Sequence, residues 1–484
     1  MTRTSVDRAV RYLLAPVDAA WLVAFRVLFG LTFAFSMQRF LANGWVERFF
    51  VTPGFHFKYW GFEWVEPLPN PYMAWLFVAL GVLALAIAAG AAFRFSAFAF
   101  AVGFSYVQLI DVSTYLNHYY LAALLAFLLA LSPAHRSFSV DAWLSKRFGR
   151  PAPATAPPER PAVARAWLFL FRFQIGVVYT FAGLAKAQSD WLIHAQPLRI
   201  WLGTVTDLPL LGPLVTLPVV PLLFAWSGFL FDTTIVAFLL WNRTRPFAYA
   251  VVIVFHVLTR VLFPIGMFPV IMVLSALVFF PPEWPRRLLA RARSRLGARR
   301  TRTATLPPPS PAAPAFGPLG PPSRWALGAL AFGAVYCALH LALPLRYLAY
   351  GGNVLWHEQG MRFSWRVMLR AKGGSTTFLV KSPEQGRRFY VEPRDYLTRM
   401  QEYEMSSQPD LIVQLAHHIR DDYSRRGFGS VEVYANSRVS LNGRRSVPFL
   451  DPSVDLARIP ERLDLRDLVL PPPTETPPHT RPVL

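Results

Sequence analysis

Apolar runs of about 20 residues, each long enough to cross a hydrocarbon layer as a helix, begin near Trp21 and recur as far as Leu343. No other feature constrains the chain as much, because a backbone placed in lipid must satisfy its hydrogen bonds within itself. The composition agrees: 54% of residues are hydrophobic and 16% charged, a low charged fraction for a soluble protein. The pattern predicts nine spans, over 18–37, 72–92, 95–111, 118–133, 166–186, 219–241, 246–263, 266–281 and 324–344. The first apolar segment, Trp21 to Met37, runs on into Gln38 and Arg39 without a small-residue cleavage pattern, so it reads as a retained span.

The net charge of +21 has a topological reading. Basic residues gather between the apolar runs, at Arg3, Arg8 and Arg11, from Lys146 to Arg165, at Arg243 and Arg245, and from Arg286 to Arg302. With the N-terminus in the cytoplasm, nine alternating spans put the loops 134–165, 242–245 and 282–323 inside as well, as the positive-inside rule requires. That placement argues against a nucleic-acid partner. It delivers the segment after Pro344 to the non-cytoplasmic side. High Arg, Ala and Pro usage fits a GC-rich bacterial genome, which makes the inner membrane the expected location and the periplasm the expected home of the C-terminal part.

The expected fold is a polytopic α-helical membrane protein with about nine transmembrane helices and a small C-terminal soluble α+β domain. Residues 1–344 form the helical domain, interrupted by a Pro-, Ala- and Gly-rich stretch at 303–323 that lacks the side chains for a packed core. Residues 345–470 form the soluble domain and 471–484 a tail without fixed structure. Within the domain, Thr376–Val380 and Arg388–Val391 alternate like strands and Tyr396–Arg425 has helical periodicity. Val431–Tyr434 and Arg438–Leu441 read as two further strands, with a turn at Asn442-Gly443. The segment 38–71, rich in Trp and Phe, reads either as an aromatic belt at the membrane interface or as a ligand-contacting loop.

Ionisable groups inside spans are costly and mark function by default. Lys186 closes the run Ala166–Ala185, in a chain where five of 49 basic residues are lysine. Arginine would stay charged, whereas a lysine desolvated in an apolar pocket can act as a neutral amine and general base. A lysine at a helix end can equally snorkel to the headgroups. Asn117-His118 opens the fourth span, where an amide and an imidazole can meet an anionic oxygen or merely cap a helix. His256 lies within the seventh span and Met267-Phe268 opens the eighth; a histidine there can contact a cofactor or bond a neighbouring helix. Beyond the last span, Trp356 to Gly360 and Arg362 to Arg366 form a polar and aromatic cluster suited to peptide binding or to docking the domain. The adjacent His417 and His418 cannot share one helix face, Cys337 is the single cysteine, and phosphate-loop and Gly-Xaa-Ser-Xaa-Gly patterns are absent, so no metal, disulfide, nucleotide or hydrolase signature is present.

A series of landmarks in fixed order resembles the vitamin K-dependent γ-glutamyl carboxylases and their bacterial relatives, which share the horizontally transferred transmembrane (HTTM) domain. They are Phe25-Arg26-Val27-Leu28-Phe29-Gly30, Asn117-His118, Ser139-Val140-Asp141, Gly183 through Lys186 to Asp190-Trp191, Phe255-His256, and Gly266-Met267-Phe268. Pro282-Glu283-Trp284-Pro285, Ser364-Trp365, Val439-Ser440-Leu441-Asn442 and Asp451 through Asp455 follow. The resemblance implies that Lys186 is the base that deprotonates reduced vitamin K, a phylloquinol- or menaquinol-type lipid hydroquinone. Oxygen then adds, the strong base so formed removes a γ-proton of glutamate in a protein or peptide, the carbanion takes CO2, and the quinone leaves as the epoxide. It further implies that Asn117 and His118 are polar partners of the reacting groups. On this reading His256, Met267 and Phe268 contact the cofactor, Ser364, Trp365 and Arg366 contact substrate, and no metal takes part. The animal enzymes have a disulfide that this chain, with Cys337 alone, lacks. Two other readings of the same residues are a quinol oxygenase or epoxidase without carboxylation and a non-enzymatic membrane transporter or lipid-binding protein.

Overall fold

The computed structural model describes residues 3–148, 161–295 and 322–478; most of 303–323 and residues 479–484 lie outside the described residues. Helices stand at each of the nine expected span positions. An amphipathic α1 (Arg3–Leu14) is followed by α2 (Ala20–Ala42), α3 (Tyr72–Ala89), α4 (Phe93–Leu109), α5 (Asn117–Leu131) and a short surface α6 (Val140–Phe148). After α7 (Arg165–Ala185) come three short helices, α8 (Ser189–Leu192), α9 (Leu198–Gly203) and α10 (Leu211–Val215). Then follow α11 (Val220–Leu240), α12 (Arg245–Leu262), α13 (Phe268–Ser275), the basic α14 (Trp284–Arg295) and α15 (Arg324–Ala342).

Six of these helices, α2, α3, α7, α11, α12 and α15, are long and apolar enough to cross a membrane, fewer than the nine expected spans. The difference lies in length and bending. Helix α5 has 15 residues and α4 has 17. The helical segment Phe268–Phe279 turns by 96° into Trp284–Ser294, as a break at Pro281-Pro282 allows.

Close backbone approaches hold the bundle. A Cβ on Gly30 would lie 2.4 Å from the carbonyl oxygen of Ala84, so this glycine lets α2 seat directly on α3. Buried Arg26, one turn earlier, donates to the carbonyls of Ala134 and Phe138, and Asp141 accepts from the free backbone N–H groups of Ala92 and Phe93 at the start of α4. Two landmarks of the sequence, Phe25 to Gly30 and Ser139 to Asp141, are therefore scaffold. Helix α15 runs alongside α7, with Tyr336 Oη donating to Gln174 Oε1 at 2.6 Å.

Strands β1 (Pro16–Asp18) and β2 (Ala162–Ala164) form a small antiparallel pair beside α7. The C-terminal region opens on a short α16 (Val354–His357) and contains β3 (Lys372–Ser382), β4 (Arg387–Val391), β5 (Glu432–Leu441) and β6 (Val447–Pro448), in the antiparallel order β4-β3-β5-β6. The two strands expected at 431–434 and 438–441 are one strand, β5. Pairing with Thr376 and Thr377 of β3 carries it through the polar residues Asn436 and Ser437. The single helix expected over 396–425 is two, α17 (Arg399–Met405) and α18 (Pro409–Tyr423), because Pro409 starts a new helix at its first turn and cannot continue an old one.

The aromatic segment 38–71 joins the two parts. The backbone N–H of Lys58 donates to Gln414 Oε1 of α18 and its carbonyl accepts from Gln414 Nε2, and Gln401 of α17 donates both to the Phe55 carbonyl and to buried Asp111. Its Trp60 and Trp64 point outward and are exposed. Residues 471–478 lie against both parts, with Arg444 Nε of the domain donating to the Glu475 carbonyl and Gln196 Nε2 of the helical part to that of Pro478.

Candidate functional site

Helices α7 and α11 cross with almost no space between them. A Cβ on Gly183 would fall 2.7 Å from Thr233 Cγ2 and 3.0 Å from the backbone carbon of Asp232. One turn after Gly183, this contact brings Lys186 Nζ to 2.7 Å from Asp232 Oδ2, with a second acceptor in the Ala182 carbonyl at 3.2 Å. Both side chains are buried. Lys186 is therefore desolvated, the first of the two alternatives that the sequence leaves open, yet not alone in an apolar pocket: a carboxylate faces its amine. A buried charge without a partner is costly, so an ammonium formed at Nζ is held as an ion pair.

The lysine and its partner face a cavity of about 80 Å³. Its walls are rich in aromatic rings, among them Trp191, Trp201, Phe224, Phe255, Phe263 and Phe268, and also include Met272 and Met368. Lys186 Nζ lies 5.3 Å from the Trp191 ring, which is fixed by its own hydrogen bond to the Ala225 carbonyl. Gly228, one turn before Asp232 on the same face of α11, leaves room for the lysine side chain; a Cβ there would touch Lys186 Cε at 4.0 Å.

Tyr179, two turns before Lys186 on α7, bonds His256 Nε2 of α12 at 3.0 Å. The other nitrogen of His256 is buried without a partner among the described residues, as is Nε2 of His118. The Phe268 ring stands between these two histidines, 5.9 Å from His256 and 6.1 Å from His118. Lys186, His256 and Phe268 thus meet in one cavity. His118 reaches it only through Phe268, and Met267 is buried in the helical core, outside the cavity lining.

Asn117 faces a second cavity, of about 240 Å³, at the seam between the helices and the C-terminal domain. Arg362, Arg366, Arg370, Glu358, Glu404 and Met368 also line it. Arg362 pairs with Asp410 and Arg370 with Glu358. Burial works against the Arg362 charge, but Asp410 outweighs it and holds that guanidinium above its ordinary range. Burial also pushes the Glu404 carboxyl upward, against the opposing charge of Arg370. Arg366 has no carboxylate partner among the described residues; it lies 3.9 Å over the Tyr347 ring. Ser364 and Trp365 line neither cavity. The Ser364 hydroxyl bonds the Met361 carbonyl, and buried Trp365 stacks on Tyr120 of α5 at 4.9 Å, anchoring the segment between the cavities.

That segment is strained. Glu358, Phe363, Trp365 and Met368 have φ of 59°, 62°, 58° and 52°, the left-handed region that side-chain-bearing residues avoid. Four such residues in 11 positions hold Met368 where it lines both cavities and forms a wall between them.

A further contact ties the domain to the lysine region. The Asp190 carboxylate receives Arg444 Nη1 and Nη2, each at 2.7 Å, and Asn442 Nδ2 at 2.8 Å. Burial opposes ionisation of Asp190, but the donated hydrogen bonds prevail and hold its carboxyl below the usual range. In the domain itself, Lys372 pins α16 to the sheet by donating to the Trp356 and Ser407 carbonyls and to Glu358; burial pushes its amine down to about 8.

The HTTM domain family matches residues 14–284, more than half of the chain, and the lumenal domain of vitamin K-dependent γ-carboxylase matches residues 327–475. The chain belongs to the vitamin K-dependent γ-carboxylase family. No solved structure matches it. As a member of that family it is an integral membrane, carboxylase-like protein; the first matched region ends at the start of α14 and the second begins within α15. Both cavities lie where the matched regions meet: the first draws its lining from α7, α11, α12 and α13, with Met368 from the second region, and the second draws on Asn117 and the strained segment.

Of the residues that line the first cavity, Asp232 and Tyr179 were not singled out by sequence reasoning. Asp232 is the one charged residue in the apolar run 219–241, so the argument that picked out Lys186 applies to it equally. Tyr179, Met368 and Arg370 carry no comparable signal.

Proposed function

We propose that this chain is a membrane enzyme that γ-carboxylates glutamate in a protein or peptide, with a reduced vitamin K-type lipid hydroquinone, O2 and CO2 as co-substrates. The observation that carries this reading is the buried Lys186–Asp232 pair opening on an aromatic cavity that shares the wall of Met368 with an arginine-rich one.

The residues of the first cavity fit a hydroquinone ring in chemistry: aromatic faces for stacking, and in His256 Nδ1 a buried polar atom without a partner. The chemistry supplied there by a bound hydroquinone is oxygenation, which generates a base strong enough for the γ-carbon of glutamate. Lys186 accepts a hydroxyl proton at Nζ, and Asp232 Oδ2 stabilises the ammonium that results. Tyr179 orients the His256 ring. The aromatic walls exclude water that would quench a strong base. In the second cavity Arg366, without a carboxylate of its own, binds the γ-carboxylate of the substrate, and Asn117 donates from its amide. Ser364 and Trp365 act by fixing Arg366 rather than by touching substrate.

On this reading residues 1–344 are the helical domain, 345–470 the domain that receives the substrate, and the basic loops lie in the cytoplasm. The second domain then sits on the non-cytoplasmic face, the periplasmic face of a bacterial inner membrane. Detergent-purified protein given reduced vitamin K, O2, labelled bicarbonate and a Glu-rich peptide should form epoxide and fix label, and Lys186→Ala should do neither. Epoxide without fixed label would restrict the function to quinol oxygenation; both activities persisting in Lys186→Ala would overturn the assignment of the base.

A further inference from the structure

A cavity larger than the one at Lys186 lies elsewhere in the molecule. It is an open groove of about 920 Å³ along most of α7, reaching from Tyr12 of α1 and Arg165 to Thr180 and Phe181. Three arginines, Arg165, Arg172 and Arg245, line one end. The rest is largely apolar, with Leu168, Phe169, Phe173, Val177, Val236 and Leu341 along its length.

The charges at that end do not cancel. The lining includes two carboxylates, Asp18 and Glu283, and each already pairs with an arginine outside the groove, Arg286 and Arg287. Arg172 donates Nε to the Val278 carbonyl and Nη2 to those of Phe279 and Phe280, while Arg245 donates Nε and Nη2 to Leu239 and Leu240. These acceptors are neutral, so both guanidinium charges stand uncompensated, and Nη1 of each has no partner among the described residues. Arg165 adds a third charge, held 4.3 Å over the Tyr12 ring. A cationic site at the edge of a hydrocarbon layer is costly unless an anion completes it.

We propose that this groove binds one anionic glycerophospholipid, its phosphodiester between Arg165, Arg172 and Arg245 and an acyl chain along α7. Guanidinium forks suit phosphate oxygens, and basic pockets between spans on the basic side of a membrane protein recognise acidic headgroups. The length agrees. From Arg172 to Phe181 is nine residues, about 14 Å of helix rise, against about 15 Å for one leaflet of the hydrocarbon core. A hydroquinone carries no formal charge and does not account for the arginines. The arginine end of this groove lies away from Lys186, towards the start of α7, and the site is independent of the function proposed for that residue.

The test uses the full-length protein in mild detergent, titrated with dioleoylphosphatidylglycerol or dioleoylphosphatidylcholine and followed by native mass spectrometry. A one-to-one adduct with phosphatidylglycerol, favoured over phosphatidylcholine, is expected. Arg172→Gln with Arg245→Gln should remove most of that preference, about fivefold per arginine. Because that pair also caps backbone carbonyls, a second variant, Thr180→Trp, obstructs the apolar end and should weaken the adduct with the arginines intact. Arg291→Gln with Arg293→Gln, on the exposed face of α14, should leave it unchanged. Equal retention of the two lipids, or loss of the preference only in the α14 variant, overturns the proposal.

Discussion

Lys186 Nζ and Asp232 Oδ2 face each other at 2.7 Å between two helices that touch at Gly183, and neither side chain is open to solvent. The pair couples the two residues in function and in stability. Lys186→Ala and Lys186→Arg should both abolish epoxide formation and carboxylation, the second because a guanidinium does not release its proton. Asp232→Asn should lower both activities together by about tenfold to a hundredfold. Counting epoxide and fixed label in parallel checks this; a variant that loses one activity and keeps the other contradicts a shared base.

Gly183→Ala tests the crossing itself. Its new methyl would press on Thr233 and on the backbone of Asp232, and overpacking of that kind costs about 1–3 kcal/mol. The expected outcome is a lower thermal unfolding midpoint of the solubilised protein. Gly176→Ala, whose Cβ would meet Val236 Cγ1 at an ordinary 3.6 Å, should leave the midpoint within error of the parent.

Met368 separates the aromatic cavity from the arginine-rich one. Shortening it in Met368→Ala opens a path for water between them. We expect the ratio of epoxide formed to CO2 fixed to rise, because a base generated on one side is quenched before it reaches the other. A ratio equal to that of the parent enzyme counts against Met368 as the partition.

The contact of Asp190 with Arg444 and Asn442 has a definite pH dependence. Its carboxyl is held below the ordinary 3.8, so the folded state binds its proton more weakly than the unfolded state does. The stabilisation is complete above the unfolded value and is lost as pH falls through the lower, folded one. The protection of the amides of residues 442–447, their exchange rate relative to the intrinsic rate at the same pH, should therefore be high at neutral pH and fall only in acid. Asp190→Asn should exchange faster at neutral pH, and the acid-dependent step should disappear.

The positions of the long helices, though not the number that can cross a membrane, were legible because a helix in lipid must be apolar for its whole length, and Lys186 stood out because lysine is so scarce in this chain. What escaped were relationships between distant residues. Asp232 is 46 positions from Lys186, and Arg444 is 254 from Asp190. Nothing local in sequence announces either. Strand β5 read as two pieces because Asn436 and Ser437 have little strand preference of their own; pairing with Thr376 and Thr377 of β3 overrides that preference. The expected set at 364–366 was divided for a similar reason: Trp365 and Ser364 serve the strained backbone that presents Arg366, a distinction that depends on φ and not on residue type.

The cavity beside Lys186, at about 80 Å³, is well below the roughly 300 Å³ at which small-molecule pockets begin. Helices α7 and α11 cannot part to enlarge it without breaking the Gly183 contact and the buried ion pair together. Expansion is left to the two thioethers on the opposite walls, Met272 and Met368, whose unbranched side chains change rotamer at little cost. Admission of a ring is then a matter of side-chain rotation on a stationary frame, so ligand entry and the opening of a route towards the neighbouring cavity would share one moving part.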